Sequence, residues 1–510
     1  MSLFRTKSIE QSIADTDEPG QRLKRNLGAL DLTVFGVGII VGAGIFVYTG
    51  TVAATNAGPA IAISFLVAGL ACALAALCYA EFASTVPVAG SAYTYSYATF
   101  GEFVAWMIGW DLVLEFTLAG GALASSFSGY LQTLLDGTPF EVPTALGSAT
   151  EGVVNLPAMV LALLMTLVLV RGAKIASRVN QVVVAIKLSV VALVIVMGIG
   201  YVKTANWVPF VPDSQPAPAG EGGFLHQPLI SSLFGVEPAV FGWAGVMAGA
   251  AVVFFAFLGF DVVATVAEET RNPQRNVPIG ILASLAIVTT LYVAVSLVIT
   301  GMQSYTDIDP ADPAPLATAF TAVGQDWVGD VIAVGATIGL TVVAMLLILG
   351  QSRVFFAMAR DGLLPRGMAK VHPQWGTPYR ITAVTGVAVA VLAGFVDFAT
   401  LGHLVSIGTL FAFLLVAIGV VVLRRTRPDL PRAFRVKGLP VVATASVLLS
   451  LYLMLNLIGE TWLRFGVWML VGFVVYFAYG RRHSRLGLRE EAEHATVHPT
   501  ADVHAVTERS

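Results

Sequence analysis

Two glycine-containing apolar stretches decide the fold of this chain: "GVGIIVGAGIF" at 36–46 and "VFFAFLGFD" at 253–261. Glycine permits close packing between membrane helices, and it also permits the helix backbone to unwind. Unwound backbone at membrane depth is tolerated only where it faces protein or a water-filled cavity. The two stretches therefore mark either the two halves of a binding site or two places of tight helix packing.

The composition around these stretches is that of a membrane protein. Hydrophobic residues make up 56% of the 510 residues and charged residues only 12%, whereas a soluble protein carries about 25% charged residues. A spanning helix needs about 20 mainly apolar residues. The sequence predicts an all-α membrane protein with 12 transmembrane helices, at 31–54, 59–83, 103–133, 155–171, 179–201, 244–267, 278–301, 327–351, 381–397, 400–423, 440–458 and 463–480.

The basic residues predict the orientation of these spans. If the N-terminus is cytoplasmic, 26 of the 29 lysines and arginines fall in cytoplasmic segments, as the positive-inside rule requires. Both termini are therefore expected in the cytoplasm. We divide the chain into an N-terminal arm at 1–26, which has no cleavable signal peptide, a transporter domain at 27–480, and a tail at 481–510 predicted to be disordered. The segment 84–102 suggests a short interfacial helix on the cytoplasmic side.

The glycine stretches lie in the first and sixth spans, which is the separation that a five-plus-five inverted repeat requires. Broken helices in corresponding positions of two halves point to a transporter site. Free amides at the half-helix after Gly42 can bind a carboxylate, helped by the helix dipole. Free carbonyls before Gly259 can accept hydrogen bonds from an ammonium group. Together they would recognise the zwitterionic head of an α-amino acid.

Several long motifs resemble a known family. They are "GVGIIVGAGIFV" (36–47), "YAEFASTVPVAGSAYTYSYATFGE" (79–102), "GWDLVLEF" (109–116), "NWVPFVP" (206–212), "VVFFAFLGFDVVATVAEETRNPQRNVPIGI" (252–281) and "ARDGLLPRGMAKVHP" (359–373). Over about 27–480 the chain resembles the amino acid–polyamine–organocation superfamily and, within it, the cationic amino acid transporter family. The resemblance implies a LeuT-like fold, with spans one to five and six to ten as inverted repeats and two extra helices. Twelve spans, rather than the fourteen usual in eukaryotic members, are typical of bacterial relatives, so the family name leaves the charge of the substrate open.

The resemblance and the two broken helices together imply a substrate site made of backbone atoms. The first-span residues expected to bind the carboxylate are Ala43, Gly44 and Ile45. The sixth-span residues whose carbonyls are expected to bind the amine are Phe255, Ala256 and Leu258. By the same resemblance, Phe255 is expected to act as a gate over the site.

Lys187 is the only basic residue in the interior of a predicted span, since Arg171 and Arg464 lie at span ends, and an ionisable residue at membrane depth is a functional candidate by default. The resemblance implies that its ammonium group takes the place of the cation bound in sodium-coupled relatives. A buried lysine can lose its proton because desolvation disfavours the charge, so Lys187 is expected to couple proton movement to transport. The alternative is a lysine that extends to the cytoplasmic membrane surface.

Two acidic residues within spans, Glu115 and Asp261, are further candidates. Glu115 is predicted to take part in proton coupling, either by pairing with Lys187 or by relaying protons; it could instead attract a cationic substrate side chain or serve helix packing through hydrogen bonds. Asp261 follows the sixth-span interruption. It either caps the second half-helix or lines the transport pathway.

The predicted function is amino acid import across the cell membrane by proton symport through alternating access. An amino acid or polyamine exchanger of the same fold is the alternative. A membrane enzyme is disfavoured because no span carries an HExxH zinc motif or a nucleophile–base set. The two cysteines have no metal-site spacing, so no cofactor is expected. The predicted partners are an amino acid, protons and lipid, and the absence of a basic cluster argues against nucleic acid.

Overall fold

The computed structural model describes residues 5–9, 27–86, 88, 91–171, 173–217, 223–235, 237 and 239–489. The protein is helical, apart from a short antiparallel pair of strands, β1 (Gln215–Pro216) and β2 (Ala239–Val240). The principal helices are α1 (Ala29–Ile40), α2 (Ile61–Thr85), α3 (Ala92–Thr99), α4 (Glu102–Leu135), α5 (Leu156–Arg171), α6 (Ala173–Ile199), α7 (Gly242–Val253), α8 (Phe260–Thr265), α9 (Pro273–Met302), α10 (Pro315–Thr321), α11 (Asp326–Arg360), α12 (Tyr379–Phe395), α13 (Phe398–Thr426), α14 (Leu439–Leu455) and α15 (Gly459–Val475).

Among the described residues, eight helices are long and apolar enough to cross a membrane, and four more apolar helices of 10–17 residues are shorter. Each of the twelve segments predicted from hydropathy coincides with one or more of these helices. Large apolar side chains on the outer helices are exposed, for example Leu70, Leu164, Val441 and Leu470. Such a surface is stable in lipid and unfavourable in water.

The first span is interrupted where its glycines cluster. α1 ends at Ile40, Val41 is extended with φ −70° and ψ 95°, and helical structure resumes at Gly44. At this point the first span lies against the sixth, because a Cβ atom on Gly44 would collide with the Cα and Cβ atoms of Ala256. Only glycine allows this approach of the two backbones.

The sixth span is interrupted in the same way. α7 ends at Val253 and is followed by one 3₁₀ turn, Phe254–Phe257, before Leu258 becomes extended. Gly259 then adopts a φ of 112°, in the region that favours glycine, and α8 begins at the next residue. Both interruptions predicted from the sequence are therefore present, and they face each other.

The ends of several helices meet around Glu102, at the start of α4. Arg5 from the N-terminal arm donates two hydrogen bonds to this carboxylate, at 2.8 and 2.9 Å. Three hydroxyl groups also donate to it, from Tyr97, Tyr476 and Ser484. Lys7 of the arm forms a second buried ion pair, at 3.0 Å, with Asp361. Residues 5–9 of the arm are therefore bound to the helices of residues 27–489.

Two regions differ from the sequence-based expectation. The predicted interfacial helix is present as α3, but its tyrosines at 93, 95 and 97 are buried in the core instead of lying at a membrane surface. The segment predicted to be a disordered tail starts with ordered structure, since 481–483 and 485–489 are helical and Ser484 contacts Glu102. The remaining tail, 490–510, lies outside the described residues, as do positions 10–26 of the arm.

Candidate functional site

A small cavity lies between the two interruptions. The first span contributes backbone and small side chains, the sixth span contributes the segment around Ala256, and α4 and α11 contribute aliphatic side chains. The lining residues are Ile39, Ile40, Gly42, Ala43, Gly44, Leu123, Phe255, Ala256, Leu258, Val343 and Leu347. Every lining side chain is apolar, so the polar groups that face a ligand here belong to the backbone.

The first span supplies the donors of this cavity. Within the described part of the chain, the amides of Gly42, Ala43 and Gly44 form no backbone hydrogen bond. The amide of Ile45, in contrast, donates to the carbonyl of Gly42 at 3.2 Å, and Ile45 does not line the cavity. The structure therefore places Ala43 and Gly44 at the cavity with unused amides, while Ile45 lies one residue beyond it.

The sixth span supplies the acceptors. Phe255, Ala256 and Leu258 all line the cavity. The carbonyl of Phe255 already accepts one hydrogen bond, from the amide of Leu258 at 3.1 Å. The carbonyl of Ala256 is within 2.7 Å of the Tyr292 hydroxyl. Each carbonyl oxygen has two lone pairs, so both can still accept from an ammonium group.

Tyr292 of α9 joins the two interruptions. Its hydroxyl lies 2.6 Å from the carbonyl oxygen of Ile40 and 2.7 Å from that of Ala256. The single hydroxyl proton is therefore shared between two carbonyl oxygens, one at each broken helix. The tyrosine is fully buried, and its ring packs against Phe65 and Phe257. A single tyrosine in an apolar helix carries no sequence signal of such a role, which is why sequence analysis missed it.

The side chain of Lys187, on α6, also contacts the interruption of the first span. Its Nζ atom donates hydrogen bonds to the carbonyl oxygens of Gly38 at 2.5 Å and Val41 at 2.8 Å. The side chain is 1% exposed, and its stem packs against Gly339 of α11, where a Cβ atom would lie 2.5 Å from the lysine Cδ. Lys187 is therefore a buried lysine whose amino group caps the broken end of α1, and its side chain does not extend out of the helix bundle.

Glu115 lies elsewhere, in a buried acidic cluster. It is close enough to Asp261 and Asp111 to be affected by their charges, and Tyr79 lies beside all three. The Thr409 hydroxyl lies beside the Glu115 carboxylate, whereas the Asp111 carboxylate and the Tyr79 hydroxyl have no hydrogen-bond partner among the described residues. No ion pair with Lys187 is formed within the described chain. The expected pairing of Glu115 with Lys187 is therefore not what the structure contains.

The cluster also bears on Asp261 and on a residue that sequence analysis passed over. Asp261 lies in the first turn of α8, where the amides of Gly259, Asp261 and Val262 are close to its carboxylate, a position that agrees with the capping alternative. Asp111 is fully buried against α13, where a Cβ on Gly408 would lie 2.7 Å from its Oδ1. Its spacing of four residues from Glu115 puts both on one face of α4, a signal that the sequence did carry.

Three aromatic rings meet beside the cavity. Phe255 packs edge-on against Tyr48 with ring centroids 5.4 Å apart, and against Phe398 at 6.3 Å. Tyr48 and Phe398 are themselves 5.1 Å apart. The ring of Phe255 thus belongs to an aromatic layer contributed by the first and sixth predicted spans and by the first residue of α13.

Comparison with known proteins agrees with this architecture. A family model described as amino acid permease matches residues 27–477. The methylthioribose transporter of Bacillus subtilis (strain 168) is 48% identical over 489 residues, which cover 95% of this chain and 99% of that protein. The branched-chain amino acid permease of the same organism is 46% identical over 492 residues, with 95% and 99% coverage.

More distant relatives include the vacuolar cationic amino acid transporter 4 of Arabidopsis thaliana, which is 39% identical over 432 residues, covering 84% of this chain and 68% of that protein. All three relatives are named as transporters or permeases, which confirms the prediction that the chain is not an enzyme. The family suggested by the motifs is also confirmed. The chain belongs to the amino acid permease family.

Proposed function

We propose that this protein imports a neutral, aliphatic amino acid by proton symport through alternating access. The observation that carries the proposal is the cavity between the two interruptions, with unused amides on one side and carbonyls on the other. In this proposal the helices form twelve spans of a LeuT-like fold with a five-plus-five inverted repeat. Both termini lie in the cytoplasm, and the protein resides in the cell membrane.

The amino acid head is bound by the backbone. The amides of Ala43 and Gly44 take the carboxylate, and the Ile45 amide joins them by exchanging the Gly42 oxygen for the substrate. The carbonyls of Phe255, Ala256 and Leu258 take the ammonium group. This arrangement is supported by the placement of both sets around one cavity, and buried donors without partners make a carboxylate a favourable ligand.

The side chain of the substrate is proposed to be aliphatic. Leu123, Val343 and Leu347 line the remaining wall of the cavity, and an apolar wall cannot compensate a buried charge. Glu115, the candidate partner for a cationic side chain, is not among the lining residues. A relative named branched-chain amino acid permease agrees with this choice. Phe255 is proposed to act as a gate: its ring covers the site when it packs against Tyr48 and Phe398.

Coupling to protons is assigned to Lys187, with Glu115 as a further proton-accepting group. When protonated, Lys187 holds α6 to the carbonyls at the end of α1, as a bound cation would. When it loses its proton, this link weakens and the cytoplasmic half of the first span is free to move. Desolvation makes such a proton release possible in a buried lysine.

The test is uptake into liposomes containing the purified protein, with radiolabelled leucine, isoleucine, valine, arginine and methylthioribose. Each substrate is measured with and without an inwardly directed proton gradient, and with and without sodium. We expect accumulation of the aliphatic amino acids that requires the proton gradient and is indifferent to sodium. Sodium-driven accumulation would refute the coupling, and preferential uptake of methylthioribose, the cargo named for one relative, would refute the substrate class.

An exchanger is the second candidate. Uptake of labelled amino acid that requires unlabelled amino acid inside the liposomes, and that is unchanged by the proton gradient, would support it. The same liposomes distinguish the two mechanisms. An exchanger takes up labelled substrate only when the liposomes are preloaded with unlabelled substrate, whereas a proton symporter accumulates it in empty liposomes under a proton gradient.

A further inference from the structure

Three residues of α6 lie in a row along α1. Asn180, Val184 and Lys187 are separated by four and three residues, which places them on one face of the helix. All three meet Gly38 of α1. A Cβ atom on Gly38 would lie 2.9 Å from the Asn180 Oδ1 atom and would collide with Val184, while the Gly38 carbonyl accepts from Lys187.

Asn180 is a buried polar residue with an unsatisfied acceptor. Asn180 is 4% exposed, and its side-chain Oδ1 atom has no hydrogen-bond partner among the described residues. A buried polar atom without a partner is unfavourable, and an ordered water is the usual way of satisfying it. Val184, between Asn180 and Lys187, is 2% exposed and apolar.

Few of the described groups around Lys187 could accept its proton. α1 faces it with carbonyls, α11 faces it with Gly339, and no described acidic side chain pairs with it. On its own helix the nearest charged residues in the sequence are Lys174 and Arg178, whose side chains lie outside the described part of the structure. Among the described side chains of α6 between Lys187 and its cytoplasmic end, Asn180 is thus the buried polar one, whereas Gln181 is exposed.

We propose that Asn180 is a positioning residue that holds water for the release of the Lys187 proton toward the cytoplasm. This inference rests on the proposed proton symport. Both side chains converge on Gly38, so the gap between their polar atoms is shorter than the roughly 10.5 Å that seven helix residues rise, and a short file of waters spans it. In the release step the N–H bond of Lys187 breaks, its electron pair stays on Nζ, and the proton passes to a water held by the Asn180 oxygen. Val184 separates the two groups until the first span moves.

The experiment compares two readouts in liposomes for wild type, Asn180→Leu and Asn180→Ser. Exchange of labelled for unlabelled amino acid needs no net proton release, whereas accumulation under a proton gradient does. We expect Asn180→Leu to retain exchange and to lose accumulation rate by about tenfold, less than the hundredfold or more of a group that transfers the proton itself. Asn180→Ser, which can still hold water, should recover most of the accumulation.

Ser189→Leu is the matched control, because Ser189 lies on the exposed face of the same helix. It should leave both readouts unchanged. The inference is overturned if Asn180→Leu accumulates substrate as wild type does, or if Asn180→Leu and Asn180→Ser lose exchange and accumulation in parallel, as a packing defect would cause. Wild type that ignores the proton gradient would remove the proposed symport, and this inference with it.

Discussion

The amino group of Lys187 donates a 2.8 Å hydrogen bond to the carbonyl oxygen of Val41, the extended residue that follows the end of α1. A helix C-terminus leaves carbonyl groups without partners and carries partial negative charge. A buried cation at this place therefore stabilises the interruption. Because the cation is a side chain that can release a proton, the stability of the interruption becomes sensitive to protonation.

The first prediction follows from that contact. Lys187→Ala should abolish accumulation driven by a proton gradient, and Lys187→Arg should recover little of it because arginine does not release its proton. In wild type, lowering the external pH should raise uptake, since protonation outside and release inside drive the cycle. Initial rates at several external pH values measure this. Lys203→Ala, outside the spans, is the control, and undiminished accumulation by Lys187→Ala would contradict the coupling role.

The close approach at Gly44 gives the second prediction. Any Cβ atom there must displace Ala256, and overpacking of a tight contact typically costs about 1–3 kcal/mol. Gly44→Ala should weaken substrate binding, and Gly44→Leu should abolish it while the folded protein can still be extracted. Ligand-induced thermal stabilisation measures both. Gly466→Ala is the control, because nothing lies near that position; normal binding by Gly44→Leu would exclude this site.

Removal of one oxygen atom tests the bridge between the interruptions. Tyr292→Phe leaves the ring in place and removes the hydroxyl shared by Ile40 and Ala256. A buried carbonyl without its donor costs about 1–3 kcal/mol, so we expect a lower melting temperature and affinity reduced about tenfold or more. Tyr452→Phe, on the outer helix α14, should change neither. Equal affinities for wild type and Tyr292→Phe would show that the hydroxyl does not position the site.

The backbone donors predict how substrate analogues compete. An amine that lacks the carboxylate of the parent amino acid leaves the amides of Ala43 and Gly44 unpaired, at a cost of about 1–3 kcal/mol. Isobutylamine should therefore compete with valine uptake at least about tenfold less well than valine itself. Competition curves at one pH measure the ratio. Putrescine or agmatine that matches the amino acid would support polyamine exchange instead.

The last prediction concerns the buried ion pair between Arg5 and Glu102. Glu102→Ala would leave the buried guanidinium of Arg5 without its partner, and breaking a buried pair in this way costs about 3–5 kcal/mol. We expect a marked fall in the melting temperature of the purified protein. The matched control is Glu460→Ala, which breaks the exposed Arg464–Glu460 pair, because exposed pairs contribute about 0–1 kcal/mol. Equal melting temperatures would contradict this role of Glu102.

Much of the architecture could be predicted because it depends on local sequence. Apolar runs long enough to span a bilayer, clustered glycines and the basic residues of alternate loops are all readable without tertiary contacts. The interruptions near Gly42 and Gly259 were predicted for this reason. Lys187 could also be recognised as buried, since its place within an apolar helix depends on its immediate neighbours.

The tertiary structure decided which groups face one another. The rotation of each helix brings Tyr292 to both interruptions, sets Asn180 beside Gly38, and gathers Asp111, Glu115 and Asp261 into one cluster away from Lys187. These contacts join residues that are distant in sequence, and hydropathy is nearly uniform around buried helices, so no periodic pattern indicates the inward face. Local sequence therefore indicated the two places where the backbone breaks and the lysine within an apolar helix, while helix packing set the partners of each group and excluded the alternatives.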